Sequence, residues 1–304
     1  MHVLMIFFDG VGLGANDPAI NPFLSAPMPT WRGLFNGAMP VHGNGHFDSP
    51  WATLVPTDAT LGIAGLPQSA TGQTTLFTGV NAAREIGEHL GPYPNAALRG
   101  ILSHENLFQR LVAAKRRVAF ANAYPPVFFD RLARNKARRS ATSYAVQAAG
   151  VRYRDIDDLR SGNAVSAFVT NDRWRYLPTA ETEVPLITAR QAGRNLAHIA
   201  RTNDFTLFEY FLTDAAGHKS NPALTRRVLD EIDELLAGVF DGTDLSDTLI
   251  VITSDHGNVE DASTRLHTLN QVPTILVGAE RARVAPLIRS LTDLTPAIAG
   301  LALE

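Results

Sequence analysis

Six residues with the side chains of divalent-metal ligands, and one serine, stand out in five short segments. They are Asp9 in FFDGVG, Ser69 in LPQSATGQTTLFTG, Asp214 and His218 in TDAAGH, Asp255 and His256 in SDHGN, and His267 in LHTLN. The chain has no cysteine, so disulfides and thiolate sites are excluded and any ion must be held by oxygen and nitrogen. Asp214 and His218 are four apart, a spacing that one helical turn or a tight loop can aim at a single ion. Asp255 and His256 are adjacent, and neighbours on a regular element point apart. Both reach one centre only from the turn after a strand, and two closely spaced ions would relax that demand.

Ser69 opens a Gly/Thr-rich segment that has the marks of a helix start. A helix N-terminus offers unpaired N–H groups and partial positive charge, which suits phosphate. A serine there is either an N-cap, which needs no metal, or a nucleophile whose hydroxyl pKa a divalent ion would lower. Each segment alone has a plain structural explanation: Asp9 caps a turn, DHG is a turn, and His267 is a buried, hydrogen-bonded histidine. Taken together, at what look like strand ends, they point to metal-assisted chemistry at the edge of an α/β sheet. Thr71, Gln73 and Thr74 either line a phosphate site or pack the helix, and Asn258 is a candidate support for Asp255 and His256. Asp58 and His46 match no motif and are taken as loop residues.

The elements that must position these groups follow from the hydrophobic pattern. At 304 residues the chain is one large domain, or a core with a modest insertion. The run HVLMIFF before Asp9-Gly10 has the composition of a buried parallel strand. Strands are expected at 117–123, 206–212, 248–253 and 272–277, with a weaker one at 164–170. Helices are expected at 30–35, 69–80, 106–116, 128–147, 188–201 and 222–240, with one or two more over 279–303. Residues 13–58 are rich in Gly, Pro and Asn and are otherwise expected to be irregular. This alternation predicts an α/β fold: a three-layer, doubly wound, mostly parallel sheet with helices on both faces. Residues 1–124 and 188–304 would form the core, and 125–187 a small cap or lid insertion. A net charge of −3 gives no reason to expect nucleic acid or an anionic membrane as partner. The N-terminus lacks the features of a signal peptide, and no apolar run reaches the roughly 18 residues of a membrane span, so a cytoplasmic protein is expected.

These segments resemble the alkaline phosphatase superfamily of two-metal enzymes, and most of all its cofactor-independent phosphoglycerate mutase and phosphopentomutase branch. Asp9 matches the metal-binding Asp of a strand-DG turn. Residues Gly65 to Gly72 match the nucleophile segment GLP…NSxxG at Ser69. Ser69 also stands ten residues before Gly79 of Thr78-Gly79, the spacing of the phosphodiesterase and sulfatase nucleophile. Asp214 to His218 resembles a DxxxGH-type segment one residue shorter, Ser254 to Asn258 matches ADHGN, and His267 to Pro273 matches HTxNxVP. Leu291 to Pro296 resembles the superfamily's last helix. The resemblance covers residues 1–85 and 188–304. It implies that Asp9, Ser69, Asp255 and His256 surround one metal, that Asp214, His218 and His267 hold a second, and that the metals are manganese or zinc.

The departures bear on the reaction. Mutases of this branch carry a much larger second domain after the nucleophile helix, with an arginine-rich substrate site. Here about 100 residues separate Ala83 from Thr188. Phosphopentomutase has a threonine nucleophile in a different local sequence. A sulfatase would have Pro and Arg where this chain has Thr71 and Gln73. The expectation is a phosphatase or phosphodiesterase acting through a phosphoserine on a small phosphorylated metabolite, with a phosphomutase as the alternative. A non-catalytic metal-binding protein of the same fold is the second alternative. The basic residues Arg131, Arg134, Lys136, Arg138 and Arg139 are either a solvated helix face, the simpler reading, or a phosphate-binding one, for which Arg134 and Arg138 are the candidates. Thr71 and Gln73 are candidates beside the nucleophile.

Overall fold

A computed structural model describes residues 1–177 and 183–303 of the chain, the Arg175 side chain excepted. Its strands in chain order are β1 (His2–Phe8), β2 (Phe47–Asp48), β3 (Ala52–Thr57), β4 (Val118–Phe120), β5 (Asn122–Ala123), β6 (Val165–Ser166), β7 (Phe205–Tyr210), β8 (Thr248–Thr253) and β9 (Val272–Gly278). Seven of them form one sheet in the order β2-β3-β9-β8-β1-β7-β4, and β5 and β6 form a separate parallel pair. β1 is flanked by β7 and β8, both parallel to it, and β4 runs parallel to β7. β8 and β9 are neighbours joined without a crossover helix, so they pair antiparallel, and β3 is antiparallel to β9. Five of the seven strands therefore point the same way, and the expected α/β architecture is present.

Alternation along β1 explains the layers. Leu4, Ile6 and Phe8 face one core with the helices Ala189–Arg201 and Pro222–Gly242. Val3, Met5 and Phe7 face the other with Ser69–Thr78, Leu107–Ala113 and Leu291–Ala302. Phe7 meets Phe77 edge-on at 6.1 Å between ring centroids. Each such buried ring contributes about 1.5–3 kcal/mol from area removed from water. The two long helices approach at backbone distance: a Cβ on Gly193 or Gly238 would run into the backbone of the opposite helix.

Four expectations differ from the structure. β2 and β3 lie inside the stretch expected to be irregular. β3 contains Pro56, but its short partner β2 pairs only with Thr53 and Leu54, so on that side no ladder bond is lost. The expected helix over 128–147 is two helices, Pro126–Ala133 and Ala141–Ala148, separated where Asn135 takes a positive φ. The expected strand over 117–123 is divided into β4 and β5. The expected strand over 164–170 is only β6.

Within the expected insertion, Ala141–Ala148 packs into the main helical layer, whereas Ile156, Leu159, Ala164 and Trp174 form a small cluster with Ala123. Residues 178–182 of that stretch lie outside the described residues. Among the described residues, no helix is long and apolar enough to cross a membrane.

Candidate metal centre and its cavity

All seven residues singled out in the sequence meet at the carboxyl ends of β1, β7 and β8. Asp9 follows β1, and Gly10 takes a positive φ with no room for a Cβ against Asp214. Asp214 and His218 lie on the helix Leu212–Lys219 directly after β7, one turn apart. Asp255 and His256 sit in the turn after β8, where adjacent side chains can converge. His267 comes from the loop leading into β9. Ser69 is the first residue of the helix Ser69–Thr78. Gln68 is the N-cap and makes no side-chain cap, so Ser69 is not the cap itself.

Ser69 Oγ lies 3.0 Å from His256 Nε2. His256 Nε2 is 3.3 Å from Asp9 Oδ1 and 3.7 Å from Asp255 Oδ2. Asp9 Oδ1 is buried with no directed hydrogen bond. On the other side, Asp214 Oδ2 is 3.3 Å from His218 Nε2, Asp214 Oδ1 is 3.5 Å from His267 Nε2, and the two Nε2 atoms are 3.1 Å apart. Two groups of ligand atoms fall within the span of one ion: Asp214, His218 and His267, and Asp9, Asp214 and His256. Asp214 belongs to both. It lies within reach of both groups.

The imidazoles are held from behind. Nδ1 of His267 lies 2.6 Å from Pro67 O, Nδ1 of His218 2.8 Å from Arg265 O, and Nδ1 of His256 3.4 Å from Gly257 O. In a neutral ring an Nδ1–H donating to a carbonyl leaves Nε2 bare and inward, the tautomer a metal needs. Electrostatics agree. Burial pushes the Asp9 carboxyl well above its usual range, and the neighbouring Asp255 adds to the rise. Asp255 is raised by burial too. Burial lowers the His256 pKa, but Asp255 and Asp9 outweigh it and hold the ring at about 10. For Asp214 burial is opposed by His267 and the other imidazoles, and the net direction is down. Converging carboxylates that hold a proton on His256 this tightly favour positive charge at this point. The oxygen and nitrogen donor set fits a divalent ion.

The remaining expectations sort by position. Gln73 donates to Asp9 Oδ2 and Asp255 Oδ2 at 3.3 and 3.2 Å, tying the two carboxylates together. Asn258 donates to Asp214 Oδ1 at 2.8 Å, a different partner from the expected Asp255 and His256. Thr71 is fully buried, its hydroxyl engaged with Gln68 O and the Leu90 amide, so it packs the helix and does not face a substrate. Thr74 likewise donates to Ala70 O. Arg134 caps the C-terminus of the helix Pro126–Ala133, exposed and off the cavity. Arg138 lies on the cavity rim, with its guanidinium 5.9 Å from the Tyr93 ring.

Two acidic residues carried no signal in the sequence. Glu260 is fully buried and accepts from Gly12 N at 2.9 Å, Asn258 N at 2.7 Å, Asn270 Nδ2 at 3.0 Å and the Thr268 hydroxyl. It thus fastens the loop after β1 to both ends of the loop between β8 and β9. Glu209, near the end of β7, is buried on the wall of a cavity of about 470 Å³ that also includes Asp9, Ser69 and Asp214. In the sequence Glu260 looks like an ordinary loop charge, and Glu209 is a lone acid in a strand.

A family model described as the Metalloenzyme superfamily matches residues 1–300. The chain belongs to that superfamily. Its alkaline phosphatase-like fold is also seen in solved structures. The alkaline phosphatase from the Antarctic bacterium TAB5 superposes with a TM-score of 0.55 at 12% identity, over 99% of this chain and 98% of that one. The cold-active alkaline phosphatase from the psychrophile Shewanella sp. gives 0.53 at 12% identity, over 98% and 99%. In sequence, the 2,3-bisphosphoglycerate-independent phosphoglycerate mutase of Pyrococcus furiosus is 31% identical over 103 residues, 34% of this chain and 25% of the relative. The Coxiella burnetii (strain Dugway 5J108-111) enzyme of the same name is 25% identical over 205 residues, 63% of this chain and 39% of the relative. The matched part of this metalloenzyme thus spans well under half the length of these curated relatives.

Proposed function

We propose that the protein is a two-metal-dependent phosphohydrolase, a phosphatase or phosphodiesterase, that acts on a small phosphorylated metabolite through a phosphoserine at Ser69. What carries this reading is the position of Ser69 Oγ, at an uncapped helix N-terminus, 3.0 Å from His256 Nε2 and on the wall of the cavity. Asp214, His218 and His267 would hold one ion. Asp9, Asp255, His256 and Ser69 would surround the other, with Asp214 between them. Manganese or zinc suits these donors. When bound, the ions would neutralise charge on the transferring group and lower the pKa of the serine hydroxyl.

Ser69 would attack phosphorus as the bond to the leaving alcohol breaks, and the alcohol departs with a proton. Water would then attack the phosphoserine and release phosphate. The positive end of the helix dipole favours the phosphoryl charge, although the Thr71 amide already donates to Leu90 O. Gln73 keeps Asp9 and Asp255 in register. Glu260 holds together the two loops that carry Asp9 and, between β8 and β9, Asp255, His256 and His267.

A phosphomutase is the second reading, because the matched curated relatives are phosphoglycerate mutases. A mutase must keep water from its phosphoserine, and the short insertion favours hydrolysis. A phosphate-release screen of protein reconstituted separately with Mn and Zn, on mono- and diesters, decides between them. Metal-dependent release that Ser69→Ala abolishes is the expected result. A phosphoserine formed from a sugar or glycerate phosphate without release would favour the mutase. Neither outcome in any metal would overturn both.

A further inference from the structure

Glu209 has no role in the chemistry above, yet it occupies the same cavity as Ser69. Its backbone is fastened on both sides to the Asn122 side chain. Asn122 Nδ2 donates to Glu209 O at 2.7 Å, and Glu209 N donates to Asn122 Oδ1 at 2.9 Å. The backbone at Glu209 is therefore fixed, and the residue is 7% exposed near the end of β7. Among the described residues no basic side chain pairs with it. Its neighbours are the Thr142 hydroxyl and the like charge of Asp255, and burial pushes it up to about 7. A buried carboxyl on a cavity wall without a cation lacks what such a group ordinarily has.

Aromatic rings line the same cavity, and Tyr124 is close enough to Glu209 for the carboxyl to act on its hydroxyl. Tyr124 stacks on Phe128 at 4.1 Å, and Phe168 meets Phe211 edge-on at 5.7 Å. The polar ends of the wall are already engaged: Trp174 Nε1 donates to Ser166 Oγ at 2.8 Å, and the Tyr124 hydroxyl lies 3.2 Å from Ser143 Oγ. What these rings add to the cavity is carbon surface with a negative π-face, which attracts cations. Two rings at the rim already have positive charge near them: Arg138 lies 5.9 Å from Tyr93 and Arg173 5.9 Å from Phe168. Both arginines are exposed, and neither pairs with Glu209.

We propose that this cavity takes the organic group of a phosphate monoester bearing a cationic nitrogen, and that Glu209 binds that nitrogen against the aromatic wall. The orientation, with phosphate at Ser69, rests on the phosphoryl-transfer reading. The cation pocket itself does not. Glu209 is then a specificity-determining residue, and the substrates are phosphate esters of small amino alcohols. A hydrogen-bonded or closely packed charge pair of this kind gives roughly ten- to hundredfold preference over a neutral group of the same shape.

The test is a matched pair of probes, phosphocholine and its uncharged carbon isostere 3,3-dimethylbutyl phosphate. Binding is measured by calorimetry on the full-length, metal-loaded Ser69→Ala protein, with and without Glu209→Gln. Turnover of both esters and of p-nitrophenyl phosphate is measured with Ser69 intact. The expected result is at least tenfold tighter binding of the cationic ester. Glu209→Gln should erase that preference and leave the neutral ester and p-nitrophenyl phosphate near their original values. Equal binding of the two esters, no binding of either at millimolar concentration, or an equal loss of both in Glu209→Gln would overturn the proposal. If Glu209→Gln does not fold, Glu209→Asp, which withdraws the charge, must show a reduced preference. A Glu209-dependent binding preference without turnover of any ester would leave the cation pocket standing and remove the phosphoryl-transfer reading.

Discussion

Replacing Glu260 by alanine should cost about 4 kcal/mol of folding stability without removing any proposed metal ligand. The figure comes from its four donors. The amides of Gly12 and Asn258 belong to the backbone and cannot turn away. Each would become a buried donor without an acceptor, at roughly 1–3 kcal/mol. The Thr268 hydroxyl and the Asn270 amide can reorient and lose less. Glu260→Gln separates the two kinds of donor. Its carbonyl oxygen can face the two backbone amides. Its NH₂ would then meet Thr268 and Asn270, which can both switch to accepting, so the cost falls to about 1 kcal/mol. For a chain of this length about 1 kcal/mol moves Tm by roughly 2 °C, so alanine should lower Tm by about 8 °C and glutamine by about 2 °C. Scanning calorimetry on the metal-free protein is the right assay, because ion occupancy then plays no part. Gly12→Ala should fall near the alanine variant, since a Cβ there would overlap the Glu260 carboxylate. Equal losses for Glu260→Ala and Glu260→Gln, or losses under 1 kcal/mol for both, would refute the assignment of Glu260 as the fastener of the two loops.

Glu209→Gln should gain on the wild type as pH rises. The folded protein holds the Glu209 proton up to about 7 against an ordinary 4.5, so wild-type stability is lost between those values, by about 3 kcal/mol; a Tm difference between the two proteins that is flat from about pH 4 to about pH 8 would contradict this. Mn or Zn at a hundredfold over its Kd should stabilise the protein by about 2.7 kcal/mol, and Asp214→Ala, shared by both ligand groups, should lose more of that gain than His218→Ala. Thermal shift with and without chelator measures it, and equal losses would count against the shared role. Gly193→Ala should destabilise by about 3 kcal/mol, because its Cβ would meet the backbone of the helix Pro222–Gly242, and an unchanged denaturation midpoint would show that the helices can part freely.

What could be seen in the sequence was local. β1, β7 and β8 are apolar runs that stop at Asp9, shortly before Asp214 and just before Asp255, and those runs alone place three ligand segments on one edge of a sheet. Ser69 could be placed at a helix start from its glycine- and threonine-rich surroundings. β2 and β3 were hidden because an edge strand tolerates proline, and Pro56 breaks the pattern without breaking the sheet. The division of 128–147 turns on one residue, Asn135, taking a left-handed conformation that periodicity does not report. Gln73 and Glu209 act through partners far away in sequence, and Glu260 joins neighbours in its own loop to Gly12, 248 positions away. Gln73 spans 182 positions to Asp255, so neither spacing nor composition could assign it. Thr71 looked like a substrate contact because it follows the nucleophile, but position on a helix decides direction, and its face is the packed one.

The loop between β8 and β9 carries Asp255, His256, Glu260 and His267, and it is tied to Gly10 and Gly12 near the opposite end of the chain. This has a consequence for how the protein comes into being. Among the seven site residues, Asp214 and His218 are the one pair that a single helix brings together. Every other donor waits for strand pairings between distant segments, whose closure entropy makes them slow. Uptake of both ions then marks the end of assembly. A refolding experiment that follows ion uptake would time the completion of the sheet and not its nucleation.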